Sequence, residues 1–470
     1  MRKALLMLSV QTIVLLFGSS DVLAMEYQIL PVNPFMILPF IFLLLSIALV
    51  PFISGGWWER NYPAVSLSLG AVSVVYYFFI LKNGQRMLGT GLEYFSFITL
   101  IGSLFVVSGG IHIRVGGRST PIANVVLLGI GAVISNLLGT TGASMILIRP
   151  FLKMNKYRIS GYHVVFFIFI VSNIGGLLTP VGDPPLFLGY LKGIPFFWVI
   201  SHTWKIWFMS VSIILFIFYI IDRHNYRKLP EKLEHETAEK GEKALVEGMH
   251  NIIFLSAIIG SVFLQEPIRE IVMIASAAGS YLTTKREVHE KNSFNYIPIK
   301  EVAVLFAGIF ATMVPALDWL ELNAGKLGVT EPAHFFWLSG ALSSFLDNAP
   351  AYLNFLCAAF GLHGLNVDNA VHVQVMLCSI PAGDVQFHAM QQASGIKPLT
   401  EHTWKYVQAI SAGAVMFGAN TYIGNGPNFM VKSIAEQANV KMPSFLGYMV
   451  KYSIPILIPV FIAVWYIFFR

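Results

Sequence analysis

Charge and cysteine are what this chain has least of. Of its 470 residues, 12% are Asp, Glu, Lys or Arg, and two are cysteine. Soluble domains carry about 25% charged residues, so a water-soluble globule is excluded. Cys357 and Cys378 are too few for a disulfide framework or a thiolate metal site, and read as inert thiols rather than a bridge. No basic patch interleaved with aromatics occurs outside the loops, which excludes a nucleic-acid partner. What fills the chain is apolar: 56% of residues are hydrophobic, in recurring runs near the length that spans a bilayer. Lone strands cannot satisfy their backbone in lipid, so these runs read as helices of an all-α polytopic membrane protein. The net charge of +6 is then first a topology signal.

The most informative stretch interrupts one of those runs. Thr179-Pro180-Val181-Gly182-Asp183-Pro184-Pro185-Leu186-Phe187 lies inside the apolar segment from about Val164 to Leu191. Three prolines there forbid a regular helix. An ionisable side chain at membrane depth is expensive and by default functional. The phrase recurs as Thr421-Tyr422-Ile423-Gly424-Asn425-Gly426-Pro427-Asn428-Phe429, with Asn425 at the place of Asp183. Asn173 and Asn420 precede the two copies. Broken segments in corresponding places of two halves point to a carrier's binding site.

Residues 1–24 open with Met1-Arg2-Lys3 and an apolar Ala4–Phe17, and are expected to be a signal peptide or an uncleaved first helix; the short apolar core favours cleavage. Residues 25–222 form the first half. It holds helices at about Pro34–Ile53, Tyr62–Leu81 and from Glu93, a polar-tipped hairpin at about 121–150, a broken helix at about 163–192, and a helix at about Trp198–Ile221. The charged stretch 223–249 is a linker. Residues 250–470 repeat the order, with a helix from Glu301, a hairpin at about 332–360, a polar insert near Leu362–Lys397, a broken helix at about 404–436 and a last helix at Leu446–Phe469. Glu93 falls on Glu301, and Ser135-x-x-x-Gly139-Thr140 on Ser343-x-x-x-Asp347-Asn348, at one offset (301 − 93 = 208).

Lys and Arg counts give an orientation in which Arg60, Arg114, Arg118, Arg149, Lys153, Arg158, the 223–249 linker, Lys285 and Lys300 are cytoplasmic, while Lys82, Arg86, Lys192 and Lys326 lie outside. This works only with hairpins that enter and leave on one face, the first from inside and the second from outside. The halves are then inverted repeats, each with a re-entrant hairpin and a broken transmembrane helix, as alternating access around a midplane site requires.

Polar clusters are expected to meet at that midplane: Ser135, Asn136, Thr140 and Thr141; Asn173, Thr179 and Asp183; Ser343, Ser344, Asp347 and Asn348; Asn420, Thr421 and Asn425. Hydroxyl, amide and carbonyl oxygens are hard ligands suited to an alkali cation such as Na⁺. Competition of Na⁺ and H⁺ for Asp183 or Asp347 is the minimal basis of antiport. Asp347 also reads as a helix N-cap, and the two roles are compatible. Glu93 and Glu301 are expected to start helices at the interface, Asp318 and Glu321 to lie at an outer helix end, and His363, His372 and His388 to sit in a solvated loop. Trp57-Trp58 reads as an interfacial anchor.

These motifs resemble the ion transporter superfamily of dicarboxylate/sodium symporters, arsenite permeases and, nearest in motif, NhaD-type sodium/proton antiporters. Ser343-x-x-x-Asp347-Asn348 is similar to the second hairpin of the NhaD type, and Asn173 with Thr179-Pro180-x-Gly182-Asp183 to its first broken helix. The resemblance, from about Glu93 onward, implies an elevator-like carrier, homodimeric, multi-pass in a bacterial inner membrane, moving Na⁺ or Li⁺ against H⁺ without a resident cofactor. The first hairpin departs from the pattern: Gly139-Thr140 stands where the antiporters resemble Asp-Asn, and a neutral first hairpin is more like the symporter branch. Sodium-coupled carboxylate symport, or an arsenite-type anion carrier, is therefore the alternative. An intramembrane aspartyl protease using Asp183 and Asp347 is disfavoured, because Pro180-Val181-Gly182-Asp183 lacks the first glycine of Gly-x-Gly-Asp. The chain is not expected to be an enzyme.

Overall fold

The computed structural model describes residues 29–114, 119–228, 245–292, 294–326, 328–377 and 402–470. The N-terminal segment 1–24, Arg118, Cys378, His388 and most of the 223–249 linker lie outside the described residues. Among the described residues, eight segments are long and apolar enough to cross a membrane: α1 (Pro34–Pro51), α2 (Ile53–Ile80), α3 (Gly84–Gly109), α4 (Pro121–Met154), Gly161–Leu178, which begins with α5 (Gly161–Ile170), α7 (Phe196–Tyr226), Ile297–Lys326, which begins with α11 (Ile297–Asn323), and α17 (Phe445–Phe469). Shorter helices among the described residues are α6 (Pro184–Leu191), α8 (Asn251–Ser261), α9 (Ile268–Thr283), α10 (Arg286–Lys291), α12 (Pro332–Phe345), α13 (Asn348–Leu362), α14 (Ala370–Met376), α15 (Trp404–Phe417) and α16 (Gly426–Gln437). One short antiparallel pair, His112–Arg114 with Leu245–Glu247, ties the end of α3 to the approach to α8. The protein is all-α and polytopic.

The break in α4 turns it back on itself. Thr120 caps the start, its hydroxyl accepting from Ala123 N at 3.2 Å, with Pro121 at the first helical position. The helix stops at Gly139, whose φ of +73° suits a residue without Cβ. The arms then lie side by side. Asn124 and Asn155, near their two far ends, exchange amide hydrogen bonds of 2.9 and 2.8 Å. The second hairpin makes its turn differently. Leu346 is extended, and Asp347 accepts from Ala349 N at 3.2 Å to cap α13. Phe335 on α12 and Phe355 on α13 pack with ring centroids 6.1 Å apart. Gly139 and Asp347 thus occupy the same place in the two halves and end a helix by different devices.

The hairpin bases lie toward opposite ends of α7. Asn124 of the first base donates to Asp222, near the C-terminal end of α7, at 3.0 Å. Beyond the second base, Asp368 pairs with Lys192, just ahead of the N-terminal end. The hairpins, the broken helices, α7 and α17 pack into one body and α2, α3, α8, α9 and α11 into another, and the two are in extensive contact where α11 lies on α13 and α3 on α4.

Several local expectations change. Glu93 does not start a helix: α3 begins at Gly84, and Glu93 pairs with Lys192 at 2.7 Å. Asp318 is buried, bonded to Tyr77 at 2.7 Å and Arg86 at 3.0 Å, because α2 and α3 pack against α11 where a free helix end was expected. The start of the polar insert is packed rather than solvated, with Leu365, Val367 and Val373 buried. Of the tryptophan pair only Trp57 faces outward; successive helical positions point about 100° apart, and Trp58 is buried.

Candidate functional site

Each broken helix ends a first segment in a tight 3-10 turn, Ile174–Leu178 and Gly418–Asn420, and restarts at α6 or α16. Asp183 and Asn425 are the N-cap residues of the restarts, with extended backbones (φ −144°, ψ 143° and φ −155°, ψ 142°). Neither side chain caps its own helix. Both are instead released toward each other.

Asp183 is the hub. Its Oδ1 accepts from Thr140 Oγ1 at 2.8 Å and from Asn425 Nδ2 at 3.1 Å, and its Oδ2 accepts from Asn348 Nδ2. Thr140 and Asn348 are corresponding residues of the two hairpin tips, and they take one carboxylate oxygen each. So a donor from each hairpin and one from the second broken helix converge on a carboxylate from the first. Asp183 is 1% exposed, and its hydrogen-bond partners among the described residues are all neutral.

A second layer holds the tips in place, and it repeats from half to half. Thr179 donates to Asn136 O at 2.6 Å, and Thr421 to Ser344 O at 2.5 Å. Asn136 Nδ2 donates to Gly175 O at 2.7 Å, where Ser344 Oγ donates to Phe417 O at 3.3 Å. Ser135 bonds Val171 O at 2.8 Å, and Ser343 bonds Ala414 O at 2.6 Å. In both halves two glycines let the irregular strands cross. A Cβ on Gly182 would stand 2.2 Å from Gly176 O, and one on Gly424 would stand 2.6 Å from Gly418 O. Contacts that tight leave no room for a side chain.

The expected residues therefore divide. Asp183, Thr140, Asn348 and Asn425 meet directly. Thr179 and Thr421 do not face Asp183: each donates to a hairpin carbonyl and accepts from the backbone N–H of Gly182 or Gly424, so these hydroxyls are staples rather than free ligands. Ser135, Asn136, Ser343 and Ser344 are staples likewise. Asp347 caps α13 and makes no hydrogen bond to Asp183, although its charge acts on it. Thr141 lines a small cavity beside Asp183, of about 30 Å³, bounded by Leu104 and Phe105 of α3 and by Phe187. That volume exceeds the ~10–15 Å³ a single water needs.

Three amide oxygens at the junction, Asn173 Oδ1, Asn348 Oδ1 and Asn420 Oδ1, are buried and accept no hydrogen bond from any described residue. Their orientation is set by the opposite end of each amide. Asn173 Nδ2 donates to Ile168 O and to Asn428 Oδ1, at 2.8 and 2.7 Å, and Asn420 Nδ2 to Ser344 Oγ at 2.8 Å. A buried acceptor without a donor costs about 1–3 kcal/mol, and the oxygen of Asn348, whose nitrogen donates to Asp183, is a hard ligand next to that carboxylate.

Asn428 escaped the sequence reading as a site residue. It binds Asn173 and donates to Gly418 O and Thr421 O at 2.8 and 2.9 Å, locking the two broken helices together. Ser172 was missed as well; its carbonyl accepts from Asn425 at 3.1 Å. Asn428 lay inside the recurring phrase, but Leu186 stands at that point of the first copy, so the repeat carried no signal there.

The comparisons with known proteins bear on this arrangement as a whole. No curated protein sequence matches the chain. Over residues 30–469 it matches the model of a family described as "Putative citrate transport", which spans both hairpins and both broken helices. The chain belongs to that citrate-transport family of multi-pass membrane transport proteins.

Proposed function

We propose that this chain exchanges a hard alkali cation, Na⁺ or Li⁺, for protons, with Asp183 as the group that holds either one. The observation that carries the reading is the company Asp183 keeps. A carboxylate removed from water must be paired or neutralised, and the side chains that touch it, Thr140, Asn348 and Asn425, are neutral. Its counter-charge is then a mobile one, a proton or a metal cation. The two exclude each other on a single carboxylate, and that exclusion is exchange. The amide oxygen of Asn348, whose nitrogen donates to Asp183, is a hard ligand beside it. Packing of hairpins and broken helices into one body against α2, α3 and α11 supports movement of that body as a unit, elevator-fashion, in a bacterial inner membrane.

The second reading is cation-coupled uptake of a carboxylate such as citrate. The family's description favours it, and so does the neutral Gly139-Thr140 tip. Against it, no Lys or Arg touches Asp183 among the described residues, so a multiply charged anion would enter only with its cations.

Everted membrane vesicles carrying the protein decide between the two. With a proton gradient established, NaCl or LiCl is expected to dissipate it, while labelled citrate and succinate are not accumulated. Sodium-dependent citrate accumulation without cation-driven proton movement overturns the exchange reading.

A further inference from the structure

An apolar groove of about 530 Å³ opens between the two bodies, walled by α1, by α11 and by both arms of the second hairpin. Its lining includes Leu44 and Leu45 of α1, Ala316 and Trp319 of α11, Leu346 of the hairpin turn and Ala358 of α13. Its one polar lining residue, Asn354, has its amide nitrogen committed to Pro350 O at 2.7 Å. The groove runs on into surfaces that face lipid: Ile41, Leu45 and Leu338, on its rim, are 41%, 47% and 43% exposed on helices otherwise suited to hydrocarbon. Inside the bilayer the medium that reaches such a rim is acyl chain, and the wall it meets is almost wholly apolar.

We infer that the groove is a binding site for one phospholipid acyl chain from the surrounding bilayer. Its position gives the site a consequence. Leu346 belongs to the wall, and Asn348, two residues on, donates to Asp183. A bound chain packs against the turn that delivers this donor, on the face that the second hairpin presents to α1 and α11. The lipid therefore buttresses the hairpin tip from outside.

Trp319 is the probe, and the test reads fluorescence rather than transport. The purified full chain is placed in nanodiscs of phosphatidylcholine with ordinary or dibrominated acyl chains. Because the chain has 9 tryptophans, the Trp319 signal is taken as the difference between the wild type and Trp319→Phe. That difference signal is expected to fall at least twofold in brominated lipid, and the quenching to be lost when Ala358→Phe fills the groove. Leu45→Phe, a smaller intrusion from the rim, is expected to weaken the quenching if Ala358→Phe does not fold. An unquenched Trp319 overturns the site. Quenching that persists unchanged in the filled variants overturns it too, since bulk lipid would then be the quencher.

Discussion

Asp183 Oδ1 and Asn425 Nδ2 lie 3.1 Å apart, although 242 residues separate them in the chain. They are the same residue of the same phrase in the two halves. A carboxylate is therefore hydrogen-bonded to its own amide counterpart from the second copy of the phrase. Backbone symmetry is retained there while charge symmetry is broken, so the centre carries one negative group where a perfect repeat would carry two or none.

Asp183→Asn is expected to abolish cation-driven proton movement, by at least tenfold against wild type, while the protein still reaches the membrane. The amide keeps the size of the side chain but holds neither a proton nor a cation by charge. The vesicle assay with Na⁺ and Li⁺ checks this, and activity close to wild type removes Asp183 from the proposed role.

Asn425→Asp tests the broken symmetry from the other side. It places two carboxylates about a hydrogen-bond length apart, and like charges that close do not both ionise without another cation. The variant is expected to need a second proton or cation per cycle. Its transport rate should respond to membrane potential differently from wild type, read as a changed effect of valinomycin-clamped potential. An unaltered response would show that the two residues are not neighbours in the working protein.

Asp222 gathers Arg158, Tyr162 at 2.7 Å, His163 at 3.2 Å and Asn124 at 3.0 Å, closing the base of the first hairpin onto α7. Asp222→Asn leaves the Arg158 guanidinium buried without its counter-charge. Breaking such a pair from one side costs about 3–5 kcal/mol. A clear drop in the unfolding midpoint of detergent-solubilised protein is expected, with partial recovery in Arg158→Met/Asp222→Leu.

A second buried network joins the two bodies: Lys192 with Glu93 and Asp368, and Arg86 with Asp318 and Asp368. Burial opposes ionisation of Asp368, but Lys192 and Arg86 outweigh it and hold this loop carboxyl well below its ordinary range. A depressed carboxylate contributes stability above its unfolded value, about 3.9, and loses it as pH falls through the folded one. The contribution of Asp368 is thus expected to be constant from pH 7 to 5 and to vanish only in strong acid. Asp368→Asn is expected to lower the unfolding midpoint at neutral pH, where the two cations lose a shared partner. Equal midpoints for variant and wild type at pH 7 would contradict the network.

The sequence by itself determined that this is a polytopic helical membrane protein with a recurring broken-helix phrase, because hydrocarbon permits little else and because the proline- and glycine-rich phrase around Asp183 returns around Asn425. It also determined which residue types gather: hydroxyls and amides at each place where the pattern fails, with an acid at two of them, Asp183 and Asp347. It did not sort them. Thr179 and Thr421 are as prominent in the phrase as Asp183, yet they staple the hairpins, because the turn aims their hydroxyls at carbonyls of Asn136 and Ser344. Asp347 matched Asp183 as an acid, yet its oxygen caps a helix. Asn428 stayed hidden because its partners are Asn173, a distant side chain, and main-chain oxygens. Only the tertiary structure decided that Thr140 and Asn348 divide the oxygens of Asp183 between them. The distance from a donor to an acceptor on another element depends on how four separate chain breaks pack, and no local pattern of residues carries that information.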